Sequence, residues 1–278
     1  MKRFNRIAAM MNYLLEHPRT RVNLEYFVNT YDVSKATVSD DLNVVDSTFQ
    51  EQGIGKLKRV IGPSGGIQYI PKLTAEKSLQ YVNEFCNQLS DPGRILPGGY
   101  LYMTDILGDP VSVRKIGQII ASAFAEKDID VVMTVETKGI PIAYAVASFL
   151  NVPVLIVRRD PKVTEGSSIS INYVSGSSRK IQTMVLTKRS LHESMNVCII
   201  DDFMKAGGTI NGMISLVEEF GASTTAIAVL AEADDEEEDR VIEEYTSLIK
   251  ISNVDMKQKK INVQPGNFLE NFSPMEEL

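Results

Sequence analysis

The chain has 278 residues, of which 44% are hydrophobic, and a formal net charge of -7. This length and apolar content can bury one large core or two modest ones, and we predict two domains. The sequence has no stretch near the ~18 uninterrupted apolar residues of a membrane span and no secretory signal core, so we expect a cytoplasmic protein. Its two cysteines and two histidines have neither the spacing of metal ligands nor that of a Cys–His nucleophile.

The negative charge is unevenly distributed along the chain. Residues 1–73 carry ten Lys and Arg against seven Asp and Glu, a net charge of +3, which leaves -10 for the remainder. A basic N-terminal part favours a polyanionic partner for that part, although so small an excess also arises by chance. Six consecutive acids at 234–239 are most simply a solvated loop or the start of a helix.

The N-terminal part predicts three helices. Apolar residues from Ile7 to Leu15 recur at spacings of three and four, and this helix must stop before Pro18. A shorter helical pattern covers residues 24–31. Ser34 is a suitable N-cap for the third helix. The apolar stripe of that helix is formed by Val38, Leu42, Val45 and Phe49.

Two strand-like segments, 57–61 and 67–70, follow these helices and flank the turn sequence GPSGG. Three helices and a hairpin predict a winged-helix domain over residues 1–73. Such domains place the third helix in the major groove and hold DNA phosphates with flanking basic residues. The alternative is a small helical module used for dimerisation. The predicted DNA contacts are Lys2, Arg3, Arg6, Arg19, Arg21, Lys35, Thr37, Ser39, Lys56, Lys58 and Arg59.

The remainder, residues 74–278, predicts a second domain. A helix is expected at 73–89, and the Pro- and Gly-rich segment SDPGRILPGGY follows it, before another amphipathic helix at 113–124. Apolar strands then alternate with helices; the predicted strands are IDVVMTV, VPVLIVR, VCIIDD and TTAIAVLAE. This alternation predicts an α/β domain with a doubly wound parallel sheet.

The segment VCIIDDFMKAGGTI carries the clearest chemistry. Asp201 and Asp202 follow four apolar residues that predict a strand buried on both faces. Ligands of such sheets lie outside the carboxyl ends of the strands, and a Gly-rich turn that opens a helix presents N–H groups to phosphate. Two carboxylates there need a further ligand, such as vicinal sugar hydroxyls or a metal ion. The pattern favours a ribose phosphate; in the simpler alternative, Asp201 only caps the helix.

Two other segments are expected at the same edge of the sheet. In ETKG, Lys138 and Gly139 can meet a pyrophosphate, and Arg158 and Arg159 end the neighbouring strand, although Lys138 alone could be a plain surface lysine. Residues 160–189 are polar and Gly/Ser-rich, and the alternation in SISINYV and KIQTMVL predicts a β-arm with SGSS at its tip. This arm either covers the site or contacts a dimer partner.

The segment from Val197 to Ile210 resembles the ribose-phosphate motif of type I phosphoribosyltransferases. In that family the acidic pair binds the 2' and 3' hydroxyls of phosphoribosyl pyrophosphate (PRPP), and the following loop binds its 5-phosphate. By this resemblance ETKG is the pyrophosphate loop, in which Glu136 opposes a pyrophosphate unless its side chain turns away. The usual motif has a small residue and a threonine before the paired glycines, where this chain has Lys205 and Ala206.

Nearly the whole chain resembles the purine operon repressors of Gram-positive bacteria, through the winged helix and the segments ILPGGY, VVMTVETKGIP, INYVSGSS and IIDDFMKAGGTINGM. The resemblance implies a homodimer that represses purine genes, most simply at a palindromic DNA operator, and is released by PRPP. It also implies that guanosine tetraphosphate (ppGpp) can occupy the same pocket, that no cofactor is required, that Mg²⁺ can accompany PRPP, and that transferase activity is absent. The implied effector contacts are Tyr100, Thr137, Lys138, Gly139, Arg158, Asp201, Asp202, Phe203, Lys205, Ala206, Gly207, Gly208 and Thr209. The alternative is an active purine phosphoribosyltransferase with an N-terminal assembly module.

Overall fold

The computed structural model describes residues 1–60, 62, 65–96, 100–160, 166–174, 181–233, 240–255 and 260–272, with the backbone alone at 100 and 253–255. The N-terminal part has the predicted helices and hairpin. Its elements are α1 Arg3–Glu16, β1 Arg21–Val22, α2 Leu24–Tyr31, α3 Lys35–Glu51, β2 Gly55–Val60 and β3 Gly66–Pro71. The strands form an antiparallel sheet in the order β1-β3-β2.

Helix α3 begins where the sequence predicts, because the Ser34 hydroxyl accepts a hydrogen bond from the Thr37 amide at 3.1 Å. The whole predicted stripe of α3 is buried in the winged-helix core, together with Met10 and Phe27. Strand β1 was not predicted, because two residues are too few for a periodic pattern; it pairs with the free edge of β3. Residues 61, 63 and 64 of the hairpin turn lie outside the described residues.

The second part contains a larger set of elements. Those before the central sheet are α4 Ala75–Leu89, β4 Ile95–Leu96, β5 Tyr100–Leu101, α5 Thr104–Gly108 and α6 Pro110–Ala123. Those that form or cover the sheet are β6 Val131–Val135, α7 Gly139–Leu150, β7 Val154–Val157, β8 Ser168–Val174, β9 Ile181–Thr187, β10 Asn196–Met204, α8 Gly208–Glu219, β11 Ser223–Ala233, β12 Thr246–Asp255 and β13 Lys260–Pro265. In this part of the chain no described helix is both long and apolar enough to cross a bilayer, nor is any in the N-terminal part.

The central sheet has the strand order β13-β12-β11-β10-β6-β7. Neighbouring strands are parallel except for β13, which is antiparallel to β12. The predicted parallel sheet is therefore confirmed, with an antiparallel edge strand that was not predicted. The sequence of β13 alternates exposed and half-buried residues and carries little apolar signal, as is usual for an edge strand.

Strand β10 is buried on both faces, as its apolar run predicts. Cys198 and Ile200 lie in the core that α6 and α7 form, whereas Val197 and Ile199 lie in the core that α8 covers. Burial also raises the pKa of the Cys198 thiol to about 12, so this cysteine is a packing residue, as expected.

Direct bonds join the winged helix to the second part. The Arg19 guanidinium donates to the Ala125 carbonyl at 2.5 Å, and the Asn151 amide donates to the Thr20 hydroxyl at 3.1 Å. Close by, the fully buried Lys72 ammonium lies 3.3 Å from the Glu126 carboxylate. These contacts attach the winged helix to the end of α6 and to the residue after α7.

Candidate functional site

The sheet changes direction between β6 and β10. After β6 the chain moves outward to β7, and it then returns to the other side of β6 to form β10, β11 and β12. The connections that leave β6 and β10 therefore diverge, which opens a crevice at their carboxyl ends. ETKG follows β6 and the glycine turn follows β10, so the two segments with predicted chemistry meet at this point.

The acidic pair lies inside the end of β10, which continues to Met204. Asp201 is only 5% exposed, and its Oδ1 accepts a hydrogen bond from the Asp202 amide at 2.9 Å. The start of α7 approaches this carboxylate closely, since a Cβ on Gly139 would lie 3.4 Å from Asp201 Oδ1. A side chain at Gly139 would also meet the Thr134 hydroxyl, so glycine is what allows this approach.

Both carboxyl groups have a raised pKa. Burial is the main cause for Asp201, and the negative charge of Asp202 adds to it, so this pKa lies well above the ordinary value. Burial also raises the pKa of Asp202, although the Lys138 ammonium acts in the opposite direction. The pair therefore needs hydrogen-bond donors or cations, and a sugar diol supplies donors.

The turn after β10 is built for an anion. Gly207 has a φ of +84°, a left-handed conformation that favours glycine, and it directly precedes α8. The first backbone N–H groups of α8 have no partner within the helix, and they carry the positive end of its dipole. Lys205 and Thr209 lie at the two ends of this turn and are half-buried.

The loop after β6 holds its negative side chain away from its own backbone. Glu136 Oε2 lies 3.3 Å from Arg158 Nη1, and Glu136 Oε1 accepts a hydrogen bond from the Arg159 amide at 2.9 Å. Thr137 and Lys138 are exposed at the mouth of the crevice. Glu136 thus turns towards the neighbouring strand end, the condition under which the loop can accept a pyrophosphate.

The predicted β-arm is the hairpin of β8 and β9. Its Tyr173 ring lies against α8, where a Cβ on Gly212 would come within 2.9 Å of Tyr173 Cγ. The arm is also bonded to the residue after β7 through the backbone groups of Arg158 and Val185. The tip at 175–180 lies outside the described residues, so its role as lid or dimer contact stays a prediction.

Most of the predicted effector residues meet at one edge of the sheet, from Thr137 to Gly139, at Arg158 and from Asp201 to Thr209. Phe203 is half-buried against the α6–α7 core. Tyr100 lies in β5, paired with Leu96, and its side chain is outside the described part of the chain. A separate cavity of ≈ 570 Å³ opens at the amino ends of β11 and β12, away from all of these residues.

Nine of the eleven predicted DNA contacts fall into two groups by exposure. Six are exposed: Lys2, Arg3, Arg21, Lys35, Lys58 and Arg59. Thr37, Ser39 and Lys56 are half-buried. The Arg59 guanidinium donates to Asn43 Oδ1 at 2.6 Å, which joins the wing strand β2 to α3. Except for Arg21, which lies in β1 at the other edge of the small sheet, these residues belong to α3, the wing strand β2 and the N-terminus of the domain.

The structure does not present two of the predicted DNA contacts, Arg6 and Arg19, to a phosphate. Arg6 is 5% exposed and its Nε donates to the buried carboxylate of Asp41 at 2.5 Å, so it lies in the interior of the winged helix. Arg19 is directed at the second part of the chain, through its bond to the Ala125 carbonyl. Neither guanidinium is presented as a phosphate contact, because each has been taken up by a structural partner distant in sequence.

Comparison with known proteins identifies both parts. Residues 2–71 match the family model described as "Bacterial purine repressor, N-terminal", and residues 103–266 match "Phosphoribosyl transferase domain". The purine biosynthesis transcriptional repressor PurR of Bacillus subtilis is 54% identical to this chain, over 98% of this chain and 95% of its own length. The chain belongs to the PurR family of purine biosynthesis regulators from Gram-positive bacteria.

Another regulator and two phosphoribosyltransferases are also similar to this PurR-family chain. The purine biosynthesis transcriptional activator PurR of Lactococcus lactis is 48% identical over 96% of this chain and 98% of its own length. A xanthine phosphoribosyltransferase of Bacillus cytotoxicus is 33% identical over 50% of this chain and 73% of the enzyme. The crystal structure of adenine phosphoribosyltransferase from Thermoanaerobacter pseudethanolicus matches with a TM-score of 0.50 and 22% identity, over 60% of this chain and 98% of the enzyme, which confirms the predicted fold.

Sequence reasoning missed several residues that shape the site of this PurR-family chain. The Tyr173 hydroxyl donates to Gln182 Oε1 at 2.7 Å across the arm, and the Val241 amide donates to the Ala206 carbonyl of the glycine turn at 3.1 Å. No local pattern could have revealed the Val241 contact, because it joins segments that meet only in the folded chain. The Tyr173–Gln182 pair crosses the predicted β-arm, and finding it required the register of the two strands.

Proposed function

We propose that this chain represses purine biosynthesis genes by binding their DNA in the cytoplasm, and that PRPP bound at the carboxyl edge of its sheet relieves the repression. One observation carries the proposal: an acidic pair, of which Asp201 is buried and Asp202 half-buried, lies beside a glycine turn in a chain whose N-terminal part is a winged helix. The names of the PurR relatives support the role in purine gene regulation.

The chemistry of the crevice supports PRPP as the effector. Asp201 and Asp202 can accept hydrogen bonds from the ribose hydroxyls, and the Lys205–Thr209 turn suits the 5-phosphate. Lys138 and Arg158 supply positive charge for the pyrophosphate. ppGpp carries phosphates at two positions of its ribose, and we propose that it competes for the same two anion-binding loops.

Mg²⁺ fits this crevice together with PRPP. The raised pKa of both carboxyl groups shows that negative charge is unfavourable there, and a bound pyrophosphate would leave the crevice still shorter of positive charge. Among the residues that the structure describes, no group of three or more His, Cys, Asp and Glu side chains is arranged to hold a metal. We propose that the ion is carried by the effector phosphates. We also propose, as the resemblance to the purine operon repressors implies, that the protein needs no cofactor of its own.

A regulator without transferase activity is the favoured reading of the second domain. The PurR relatives are named as regulators, and Lys205 and Ala206 replace the usual small residue and threonine of the enzyme motif. The similarity to a xanthine phosphoribosyltransferase favours the second candidate, an active purine enzyme. Turnover of PRPP with xanthine, guanine or hypoxanthine would establish the enzyme.

We propose further that the chain acts as a homodimer on a palindromic operator, because paired winged helices read two half-sites. PRPP can weaken DNA binding only if it binds the DNA-free state more tightly. One route is competition for the basic surface at Arg158 and Arg159, next to Lys162, which lies outside the described residues. The other is a movement of the β8–β9 arm that changes the spacing of the two winged helices.

The direct test is a titration of full-length protein with DNA from upstream of a purine biosynthesis operon, with and without PRPP and ppGpp. We expect specific binding that PRPP weakens. Affinity should also fall steeply with salt, by roughly 0.9 log units per log unit of salt for each phosphate contacted. Binding that is equal for unrelated DNA, or independent of salt, would contradict the proposal.

The direction of regulation needs a separate measurement, because the Lactococcus lactis relative is named an activator. Transcription of purine biosynthesis genes should rise when the gene for this chain is deleted, and re-expression should lower it again. A fall in transcription on deletion would make the protein an activator with the same DNA-binding module.

Glu136→Gln is expected to tighten PRPP binding about 3- to 10-fold, through removal of a negative charge that shares Arg158 with the effector pyrophosphate. Glutamine keeps an oxygen to accept the Arg159 amide. Calorimetry on the full-length protein would measure the change, with the exposed and distant Glu193→Gln as the matched control. Weaker binding by Glu136→Gln would mean that the carboxylate holds Arg158 in place for the ligand and does not compete with it.

A further inference from the structure

The glycine turn is supported from behind by a segment far along the chain. The Val241 amide donates to the Ala206 carbonyl at 3.1 Å. The Ile242 side chain is buried against the turn, where a Cβ on Gly207 would come within 2.9 Å of Ile242 Cγ1. The position of the turn therefore depends on where residues 241 and 242 are held.

An ion pair between a half-buried arginine and a buried carboxylate holds that segment. The Arg240 guanidinium lies 2.6 Å from Glu232 Oε2 and donates to the Ala233 carbonyl at 3.0 Å and to the Tyr245 hydroxyl. Glu232 is 4% exposed, and it accepts hydrogen bonds from Ser247 Oγ at 2.5 Å and from the Tyr245 hydroxyl at 2.6 Å. A buried carboxylate with several donors fixes its partners in one arrangement, because leaving any of them unpaired is costly.

The sheet gives this network a second connection to the turn. Glu232 lies in β11 opposite Met204, the last residue of β10 before the turn. Both sides of the turn are thus connected to the same residue: its start at Met204 through the backbone of Glu232, and its rear at Val241 through the Glu232–Arg240 ion pair. The loop after β6, which we propose for the pyrophosphate, lies on the other side of β10 from β11, and the described hydrogen bonds of the Glu232 carboxylate go to Tyr245 and Ser247.

We propose that Glu232, Arg240 and Tyr245 are positioning residues that set the glycine turn for the 5-phosphate of the effector. The inference rests on the proposed function, because it concerns the same crevice. It adds that affinity at the two ends of the ligand is controlled separately: this network acts on the ribose-phosphate end and leaves the pyrophosphate end unchanged.

The test compares two fragments of the effector on the full-length protein by calorimetry. Glu232→Gln should weaken binding of ribose 5-phosphate about 5- to 20-fold, whereas binding of inorganic pyrophosphate should change less than about 2-fold. Glu244→Gln, an exposed change in the same segment, is the matched control and should leave both affinities unchanged. Arg240→Lys keeps the charge but not the fork geometry, so it should give an intermediate loss.

Hydrogen exchange of the ligand-free protein gives a readout that needs no ligand. Glu232→Gln should speed exchange at residues 205–209 and leave residues 136–139 as in the unsubstituted protein. If Glu232→Gln fails to fold, Tyr245→Phe removes one bond to the same carboxylate and should show the same pattern more weakly.

The outcomes separate this inference from the proposed function. Equal losses for both fragments, or no loss for ribose 5-phosphate, would overturn the positioning role alone. If the unsubstituted protein binds neither PRPP nor either fragment, the effector proposal fails, and the positioning role for a phosphate ligand fails with it.

Discussion

Asp201→Asn and Asp202→Asn are each expected to weaken PRPP binding about 10- to 100-fold and so to abolish the effect of PRPP on DNA binding. Each replacement removes a charged acceptor for a ribose hydroxyl, and such hydrogen bonds contribute about 1.5–3 kcal/mol. DNA affinity without effector should be unchanged, because the acidic pair lies in the second domain. Calorimetry with PRPP and an operator titration would measure the two effects.

The melting temperature of the variants distinguishes a loss of PRPP contacts from a general destabilisation of the protein. Burial and the Asp202 charge raise the pKa of Asp201, so a neutral asparagine relieves an unfavourable charge and keeps the oxygen that accepts the Asp202 amide. The melting temperature of Asp201→Asn should therefore equal or exceed that of the unsubstituted protein. PRPP still releasing DNA from both variants would show that the acidic pair does not bind the effector.

Asp41→Asn is expected to destabilise the winged helix by about 3 kcal/mol, because it leaves the buried guanidinium of Arg6 without its counter-charge. Burial acts to raise the pKa of Asp41, but hydrogen bonds and charges from Arg6 and Arg3 outweigh it and lower that pKa. The stabilisation is thus present above the unfolded pKa of about 3.9 and is lost as the pH falls through the lower folded value.

Denaturant unfolding at neutral pH would measure the loss for Asp41→Asn. Asp40→Asn is the matched control, because Asp40 is the adjacent carboxylate of α3, is exposed, and should cost almost nothing when neutralised. The difference between Asp41→Asn and the unsubstituted protein should shrink in acid. A difference that stays constant with pH would assign the effect of Asp41 to packing and not to charge.

The elements that sequence reasoning predicted are those with a local cause. The stripe from Val38 to Phe49 recurs with helical spacing, and Ser34 supplies the cap that starts its helix. The apolar run before Asp201 is long enough to define a strand buried on both faces, and the glycines after it define the turn. The crevice was predicted because parallel strands have their carboxyl ends at the same edge of a sheet. Recognising each strand and the loop after it was therefore enough to place these loops next to one another.

The features that were not predicted depend on partners far along the chain. Arg6 is a basic residue near the N-terminus, as expected of a DNA contact. Only its bond to Asp41 in the folded chain shows that Arg6 is buried. Strand β13 carries a weak apolar signal because it is an edge strand whose alternate residues face solvent. Glu232 and Arg240 form an ion pair, and the six acids at 234–239 lie between them in the sequence. A count of charges in this segment could not have shown that Glu232 is the acid paired with Arg240.

The contacts that join Arg19, Thr20 and Lys72 to the second part have a mechanical consequence. On the second part these contacts fall at two places, Ala125–Glu126 and Asn151, so the two halves of the chain are expected to move together. In the proposed homodimer, the effect of a ligand in the crevice would then reach DNA through a change in the relation of one subunit to the other, or through direct occupation of the crevice, and not through a hinge within the chain. A small rotation of one subunit against the other in the proposed homodimer would give a larger displacement at the two winged helices.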